Sequence, residues 1–171
     1  MKKIILCGYM ASGKTTIAHL LAKMSNIEAI DLDETIEKQT GKTITQLFED
    51  GGEIQFRKKE HFALRDIIVK KEQFVLSLGG GTPCYANNHE FLKQEDVISI
   101  YLKTSIKEIV NRIEGKSNER PLLNNLEGEE LQEFVAKHMF DRSYYYMQAK
   151  HIVNTDGKQP KDIVNEIMKL L

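Results

Sequence analysis

Short apolar runs alternate along the chain with longer segments in which apolar residues recur at helical spacing. The runs are rich in Ile, Val and Leu, which is typical of strands that are buried on both faces of a parallel sheet. They occupy residues 3–7, 27–30, 74–78, 97–102 and 151–153. Strands that alternate with helices form βαβ units. The pattern therefore predicts an α/β fold of three layers, with helices on both faces of a parallel sheet.

Two stretches interrupt this alternation. Residues 33–71 contain no convincing strand, and their charged helical sequence is broken at Gly41, Gly51 and Gly52. Glycine ends or bends helices, so we expect a helical excursion away from the sheet. Residues 115–128 are polar and include a proline and several charges, which predicts a long flexible loop.

Length and charge limit the organisation and the partners of the chain. A chain of 171 residues with 41% hydrophobic content fits one domain with a core of ordinary size. Its 24 basic and 25 acidic side chains give a formal net charge of -1, which argues against the broad positive field that holds nucleic acid. We expect a monomer that binds a small molecule.

No targeting or redox signal stands out. The first apolar run, residues 4–7, is too short for a signal-peptide core or a membrane span, so we expect a cytoplasmic protein without a membrane contact. Cys7 and Cys84 have neither metal-ligand nor CxxC spacing, which favours two reduced, structural cysteines.

The strongest motif is residues 8–15, GYMASGKT, which match GxxxxGK[ST] between an apolar strand and a helical segment. Glycines let the backbone turn its N–H groups toward phosphate oxygens, and the following helix directs its positive end to the same anion. Lys14 would reach the β- and γ-phosphates, and the Thr15 hydroxyl would bind magnesium. A chance glycine-rich turn is the alternative, but both flanking elements are present. The predicted nucleotide contacts are Gly8, Ala11, Ser12, Gly13, Lys14, Thr15 and Thr16.

Nucleotide binding does not determine the reaction, because phosphate loops serve kinases, motor ATPases and GTPase switches. A guanine-specific switch should carry an Asn-Lys-x-Asp motif late in the chain. The nearest segment, residues 154–157 (NTDG), lacks both the Lys and the Asp at the required offset. The sequence therefore argues against guanine specificity.

Asp31 and Asp33 follow the second predicted strand, at the edge of the sheet where α/β proteins bind their ligands. One carboxylate could hold magnesium through water, and the other could accept a proton from an acceptor hydroxyl. An equally plausible alternative is that Asp33 caps the following helix.

Four further segments carry candidate chemistry. Arg57 stands beside Phe56, and an arginine fork next to an aromatic wall suits a cyclic acid, although a charged helix usually presents a solvated face. Ser77 precedes a glycine triplet that would let a ligand approach backbone N–H groups or would simply form a turn.

Arg120 lies in the long loop, where an arginine could close over transferring phosphate, although most loop arginines are solvated. Arg142, which precedes three tyrosines, is a further candidate.

Taken in order, these segments resemble the shikimate kinases, which are small phosphate-loop enzymes of the nucleoside-monophosphate-kinase type. The resemblance covers essentially the whole chain. The matching segments are the phosphate loop at 8–15, D-x-D at 31–33, GE-x-x-FR at 52–57, GGG at 79–81, R-P-L at 120–122, and R-x-x-x-Y at 142–146. The run of Tyr144, Tyr145 and Tyr146 leaves open which tyrosine occupies the last position.

The resemblance implies a role for each matching residue. It implies that Lys14 and Arg120 stabilise the transferring phosphoryl group, that Asp33 is catalytic, and that Arg112 stacks on adenine. The implied shikimate contacts are Asp33, Arg57, Gly79, Gly80, Gly81 and Arg142. The implied magnesium site is Thr15, with Asp31 and Ser77 in its outer shell. Glu60 would orient Arg57.

The resemblance also implies an architecture and a reaction. It implies a five-stranded parallel sheet, a substrate-binding region at about residues 33–59 and a lid at about 115–126. The expected reaction transfers the γ-phosphoryl group of ATP, with Mg²⁺, to the 3-hydroxyl of shikimate. A gluconate kinase on the same fold is one rival. A nucleotide switch or assembly ATPase without an acceptor pocket is the other.

Overall fold

The computed structural model describes residues 2–114 and 126–171. Its strands are β1 (Lys3–Cys7), β2 (Ala29–Asp31), β3 (Phe74–Ser77), β4 (Val97–Lys103) and β5 (His151–Asn154). They form one five-stranded sheet in the order β2-β3-β1-β4-β5, and every neighbouring pair is parallel. The predicted strands are thus confirmed. The largest difference is at β2, which starts and ends later than the predicted 27–30.

The helices are α1 (Lys14–Ser25), α2 (Leu32–Thr40), α3 (Ile44–Lys70), α4 (Ile106–Glu114), α5 (Gly128–Tyr146) and α6 (Pro160–Met168). Two short 3-10 helices, Thr82–Cys84 and Asn88–Lys93, lie between β3 and β4. Each strand, including the last, is followed by helical structure, and the helical segments between the strands make the crossovers that a parallel sheet requires.

The central strand β1 explains why its sequence is continuously apolar. It pairs with β3 on one side and β4 on the other, so no edge of it meets solvent. Ile4 and Leu6 pack in a core cluster with residues of α1 and α6. Ile5 and Cys7 point to the opposite face and pack with residues of α2, α3, α4 and α5. These two clusters confirm the three-layer α/β/α prediction.

The predicted helical excursion is also confirmed, and glycines interrupt it where the sequence indicated. The helix α2 ends at Gly41, whose φ of 68° is left-handed. Within α3, Gly52 has φ 69° and ψ 177°, which bends the helix between two helical parts. These conformations favour glycine because a Cβ would crowd the backbone. The bend separates the first turns of α3 from the part that carries Phe56 and Arg57.

Neither cysteine forms a disulfide, which agrees with the prediction. Burial raises the pKa of the Cys7 thiol to about 12 and that of Cys84 to about 11. Both thiols are therefore protonated near neutral pH and behave as small apolar groups.

Among the described helices, none is long and apolar enough to cross a membrane. The predicted lid at 115–126 falls almost entirely outside the described residues, and Arg120, Pro121 and Leu122 fall there with it.

Candidate active site

The phosphate loop curls tightly between β1 and α1. Gly8 and Gly13 have φ values of 147° and 93°, and Ala11 also has a positive φ of 60°. A Cβ at Gly8 would lie 2.8 Å from the carbonyl oxygen of Leu102 in β4, which is closer than a carbon atom can approach. Glycine at position 8 is therefore needed to pack the loop against the end of the neighbouring strand.

The loop encloses polar groups that suit an anion. Ser12 is only 1% exposed, and its buried Oγ atom has no hydrogen-bond partner among the described residues. The Lys14 ammonium donates to the carbonyl oxygens of Gly8 and Tyr9 at 3.0 and 2.9 Å, which holds the charge inside the loop. No described side chain caps the start of α1, so its first N–H groups face the loop. Amides, a hydroxyl and an ammonium in this arrangement fit phosphate oxygens.

Thr15, Asp31 and Ser77 form an oxygen-rich group at the ends of β2 and β3. The Thr15 hydroxyl donates to Asp31 Oδ2 at 2.9 Å and lies 3.5 Å from Ser77 Oγ. The strand register explains the contact, because Asp31 pairs directly with Ser77. Hydroxyl and carboxylate oxygens are the ligands that Mg²⁺ prefers, usually with several waters retained. The described residues contain no cluster of three or more His, Cys, Asp or Glu side chains placed to hold a metal ion by themselves.

Asp31, not Asp33, caps α2. Its Oδ1 accepts from the backbone N–H groups of Asp33 and Glu34 at 3.0 and 3.4 Å. The capping alternative for Asp33 is therefore wrong. Asp33 lies in the first turn, where its Oδ1 would be 3.1 Å from a Cβ at Gly79. Its carboxylate faces the glycine triplet.

The environment of Asp33 disfavours its ionised form. Burial, together with the negative charges of Asp31 and Glu60, raises the pKa of Asp33 to about 6 from its ordinary 3.8. Lys14 and Arg57 oppose this shift but do not cancel it. A carboxyl group with a pKa near 6 can accept a proton at neutral pH and hold it more firmly than an ordinary aspartate does.

Arg57 is fixed by a buried carboxylate. Its Nη1 donates to Glu60 Oε2 at 2.9 Å, and Glu60 is only 1% exposed. The other oxygen of Glu60 accepts from the Thr82 hydroxyl at 2.7 Å. Burial alone would lower the pKa of Arg57, but the Glu60 carboxylate raises it above its ordinary value. The guanidinium is therefore permanently charged, and Glu60 anchors it at Nη1.

The glycine triplet allows the surrounding side chains to come close. A Cβ at Gly81 would lie 2.6 Å from Arg57 Nη2 and 3.0 Å from Nη1, so this edge of the guanidinium lies directly against Gly81. A Cβ at Gly80 would lie 3.2 Å from the backbone nitrogen of Met10 and 3.7 Å from Arg142 Nη1. Both predicted arginines thus reach the same turn, and that turn touches the phosphate loop.

Tyr146 fixes the register of the last helix. Its hydroxyl donates to the carbonyl oxygen of Gly80 at 2.6 Å, and its ring is fully buried beside Tyr101. Tyr144 is 64% exposed. Because Arg142 and Tyr146 are one turn apart, both face the triplet, and Arg142 lies 6.0 Å from the centre of the Tyr9 ring. Tyr146 therefore occupies the position that the sequence left open.

Arg112 lies across the entrance of the loop. Its Nη1 donates to the carbonyl oxygen of Ala11 at 3.0 Å, and its Nε donates to Glu108 at 2.8 Å. Beside the start of α4, Asp156 accepts from the backbone N–H of Ser105 at 2.9 Å. The planar guanidinium is thus held next to the residues that would bind phosphate.

Comparison with known proteins identifies the family. The family model described as shikimate kinase matches residues 10–171. A shikimate kinase of Flavobacterium psychrophilum is 54% identical over 171 residues, which cover 100% of this chain and 99% of the relative. The chain belongs to the shikimate kinase family.

Solved shikimate kinases have the same fold. The Bacteroides thetaiotaomicron structure is 32% identical, with a TM-score of 0.88 and coverage of 99% of this chain and 97% of that chain. A structure from Acinetobacter baumannii, in complex with shikimate, is 33% identical, with a TM-score of 0.87 and coverage of 99% and 92%. The family, the five-stranded fold and the kinase class predicted from the sequence are confirmed, and ATP is supported as the phosphoryl donor.

Within this shikimate kinase fold, the structure brings most of the predicted residues to one edge of the sheet. Thr16 lies in the first turn of α1 and is exposed. Arg120 lies outside the described residues.

Sequence reasoning missed several residues that support the shikimate kinase site. Thr82 holds Glu60, and the Tyr9 hydroxyl lies 2.9 Å from His138 Nδ1 on α5. Tyr85 stacks on Arg57, with the ring centre 4.0 Å from the guanidinium carbon. Proximity of Tyr85 and Thr82 to the glycine triplet is the one sequence signal that could have indicated them. No local pattern indicated His138.

Proposed function

We propose that the protein transfers the γ-phosphoryl group of ATP to the 3-hydroxyl of shikimate, giving shikimate 3-phosphate and ADP. One observation carries this proposal. Two arginines, Arg57 and Arg142, reach a glycine turn that also touches the phosphate loop, while Asp33 faces the same turn. A carboxylated ring with several hydroxyl groups matches two cations and one carboxylate. Membership of the shikimate kinase family supports the same acceptor.

On the donor side, we propose that the loop amides, Ser12 and Lys14 bind the phosphates. Ser12 Oγ is the group most in need of a partner, because a buried hydroxyl without a hydrogen bond costs stability. Arg112 would stack on adenine. Arg120, from the predicted lid, would neutralise charge on the transferring group.

On the acceptor side, Arg57 and Arg142 would bind the carboxylate of shikimate. Arginine is suited to this task because its planar fork can donate two parallel hydrogen bonds to one carboxylate. Asp33 would bind the ring hydroxyls, and Gly79, Gly80 and Gly81 would let the ring approach the backbone. The substrate-binding region would then comprise residues 33–59 together with this turn and Arg142.

The chemistry consists mainly of positioning and charge neutralisation. The acceptor oxygen forms a bond to the γ-phosphorus while the bond from that phosphorus to the bridging oxygen breaks, and ADP leaves. The hydroxyl proton passes to the Asp33 carboxylate and then to water. A group with a pKa of about 6 is ionised at neutral pH and is therefore ready to accept it.

The residues present also fit Mg²⁺. Thr15 would bind the ion directly, and Asp31 and Ser77 would hold its waters, since their oxygens already form one group. When bound, the ion neutralises phosphate charge and orients the phosphate oxygens.

We also propose that the protein acts as a cytoplasmic monomer. The proposed site lies at one edge of the chain's own sheet, where the phosphate loop, the glycine triplet and the arginines Arg57 and Arg142 meet. The use of ATP, a cytoplasmic metabolite, supports the location.

An acceptor panel tests the proposal. ADP release would be measured by a coupled assay with shikimate, quinate, gluconate and nucleoside monophosphates. We expect turnover with shikimate to exceed that with every other acceptor. Higher turnover with gluconate than with shikimate would favour the gluconate kinase. ATP turnover that does not rise with any acceptor would favour a nucleotide switch or assembly ATPase.

A further inference from the structure

Tyr85 covers the guanidinium group of Arg57 more closely than any other described aromatic ring. The guanidinium carbon lies 4.0 Å from the centre of the Tyr85 ring. The rings of Phe56 and Phe48 are farther away, at 5.1 and 5.9 Å. Arginine stacks favourably on aromatic faces within about 6 Å, and most strongly when it is partly withdrawn from water. Arg57 meets this condition, because its side chain is only 14% exposed.

The ion pairs of Arg57 leave the tilt of its plane poorly fixed. Glu60 anchors one nitrogen, Nη1, at 2.9 Å. The contacts of Nε and Nη2 with Glu53 are both 3.4 Å, which is longer than a normal N–H···O bond. One strong bond fixes a point but allows the planar group to rotate about it. A ring stacked on the face would remove that rotation.

The segment that carries Tyr85 is held from both ends by buried polar side chains. Asn88 is fully buried, and its backbone N–H donates to the carbonyl oxygen of Tyr85 at 2.9 Å. Its side chain donates to the carbonyl oxygen of Thr82 at 2.9 Å and lies 2.7 Å from His61 Nδ1. Thr82 in turn donates to Glu60. Tyr85 and the carboxylate that anchors Arg57 are therefore parts of one hydrogen-bonded frame.

The backbone after Tyr85 adopts a costly conformation. Ala86 and Asn87 have φ values of 49° and 56°, so two successive residues that are not glycine are left-handed. Such conformations persist where the surrounding structure imposes them. Here the result is an extended Tyr85 whose ring is turned back onto α3.

We propose that Tyr85 is a positioning residue that sets the plane of the Arg57 guanidinium, so that its Nη1 and Nη2 edge stays directed at the acceptor carboxylate beside Gly81. This inference rests on the proposed function, in which Arg57 binds that carboxylate. Tyr85 itself does not touch the reacting atoms. It affects acceptor affinity through Arg57 and has no effect on nucleotide binding.

Two substitutions distinguish the effect of the Tyr85 ring from that of its hydroxyl group. Tyr85→Phe keeps the stacked ring, and we expect its Michaelis constant for shikimate to stay within about twofold of the wild type. Tyr85→Leu removes the ring and should raise that constant roughly fivefold to tenfold, as expected for a partly desolvated stacking contact. The Michaelis constant for ATP and the unfolding temperature should not change. Tyr144→Leu, at an exposed tyrosine, is the matched control and should change none of these values.

A double-mutant cycle with Arg57→Lys identifies the partner through which Tyr85 acts. Lysine keeps the charge but has no planar fork to orient. Shikimate affinity would be measured by titration calorimetry in all four proteins. We expect Tyr85→Leu to weaken binding in the wild-type background and to have little further effect beside Arg57→Lys.

The outcomes distinguish the two proposals. If Arg57→Lys binds shikimate as the wild type does, the proposed role of Arg57 fails. If Arg57→Lys binds weakly but Tyr85→Leu binds normally, the role of Tyr85 is overturned while that of Arg57 stands. Equal weakening by Tyr85→Leu in both backgrounds would also overturn it, because Tyr85 would then act independently of Arg57.

Discussion

At the scale of single residues, the three carboxylates of the site differ in their hydrogen-bond and ion-pair partners. Asp31 accepts two backbone N–H groups and a hydroxyl, and Glu60 is paired with Arg57. Asp33 lies close to both negative charges, and its pKa rises to about 6. Groups that are alike in sequence therefore have different tasks, because their partners differ.

The raised pKa of Asp33 predicts the acid limb of the pH profile. If Asp33 must be ionised to accept the hydroxyl proton, kcat/KM for shikimate should fall as the pH drops below about 6. Initial rates at saturating ATP between pH 5 and 8 would measure this limb, with the buffer ionic strength held constant. A profile that stays flat down to pH 5 would contradict the role given to Asp33.

Arg57→Ala is expected to weaken acceptor binding. Loss of a charge-assisted pair should raise the Michaelis constant for shikimate by roughly 10-fold to 100-fold, with a smaller effect on that for ATP. Arg65→Ala removes an exposed arginine from the same helix and serves as the control. Steady-state kinetics would be measured for both variants. An unchanged Michaelis constant for shikimate in Arg57→Ala would refute the proposed role of Arg57 in acceptor binding.

At the scale of elements, the glycine triplet controls how closely Arg57 and Arg142, the two arginines proposed to bind the acceptor, approach. Gly81 has φ -88° and ψ -16°, which alanine adopts without strain. The obstacle to a side chain there is the guanidinium of Arg57 and not the backbone conformation. Glycine is thus needed at position 81 because a side chain there would collide with Arg57, and not because the backbone requires a conformation that only glycine adopts.

Gly81→Ala should therefore reduce acceptor affinity in a folded protein. The new methyl group would displace Arg57 from its position beside Glu60, and we expect the Michaelis constant for shikimate to rise at least about fivefold. Gly51→Ala is a matched control, because its Cβ would meet the end of another flexible side chain, that of Gln55, at 2.6 Å. Kinetics and thermal unfolding of the two variants would be compared. Equal Michaelis constants for shikimate in the two variants would show that the close approach of Arg57 to Gly81 does not affect acceptor binding.

The elements themselves could be predicted because their signals are local. Strand β1 is apolar throughout since both of its faces are covered, and Gly41 and Gly52 mark the breaks of the helical excursion. The choice between Asp31 and Asp33 as the cap could not be made. Either carboxylate can cap a helix, and the decision depends on where β2 ends.

The supporting contacts of the site could not be predicted either, because they join distant positions. Tyr9 and His138 lie 129 residues apart in sequence, and His61 and Asn88 lie 27 apart. Hydrophobic periodicity carries no information about such pairs. Sequence motifs indicated the side chains that we propose to bind ligands, whereas the side chains that hold them in place are determined by packing.

At the scale of the whole molecule, the buried charge at Asp33 costs stability. Its pKa is about 6 in the folded chain and close to 3.8 when exposed, so between these values the folded protein binds more protons than the unfolded one. The free energy of unfolding should therefore fall as the pH rises through this window and then level off. The proposed function of Asp33 and the stability of the fold are therefore in conflict at this position.

Asp33→Asn is thus expected to lose activity and gain stability. Near pH 7.5 its free energy of unfolding should exceed that of the wild type by about 1–3 kcal/mol, and the difference should shrink toward pH 4, where the wild-type carboxyl is protonated. Urea unfolding at both pH values measures the two differences. A variant less stable than the wild type at pH 7.5 would contradict the electrostatic account.

The position of the phosphate on the product tests the central claim most directly. The protein would be incubated with ATP, Mg²⁺ and shikimate, and the product would be examined by correlated phosphorus and proton NMR. The account predicts a single new phosphate ester whose phosphorus couples to the ring proton at carbon 3, formed together with an equal amount of ADP. ADP without a phosphorylated shikimate, or an ester at another hydroxyl, would contradict it.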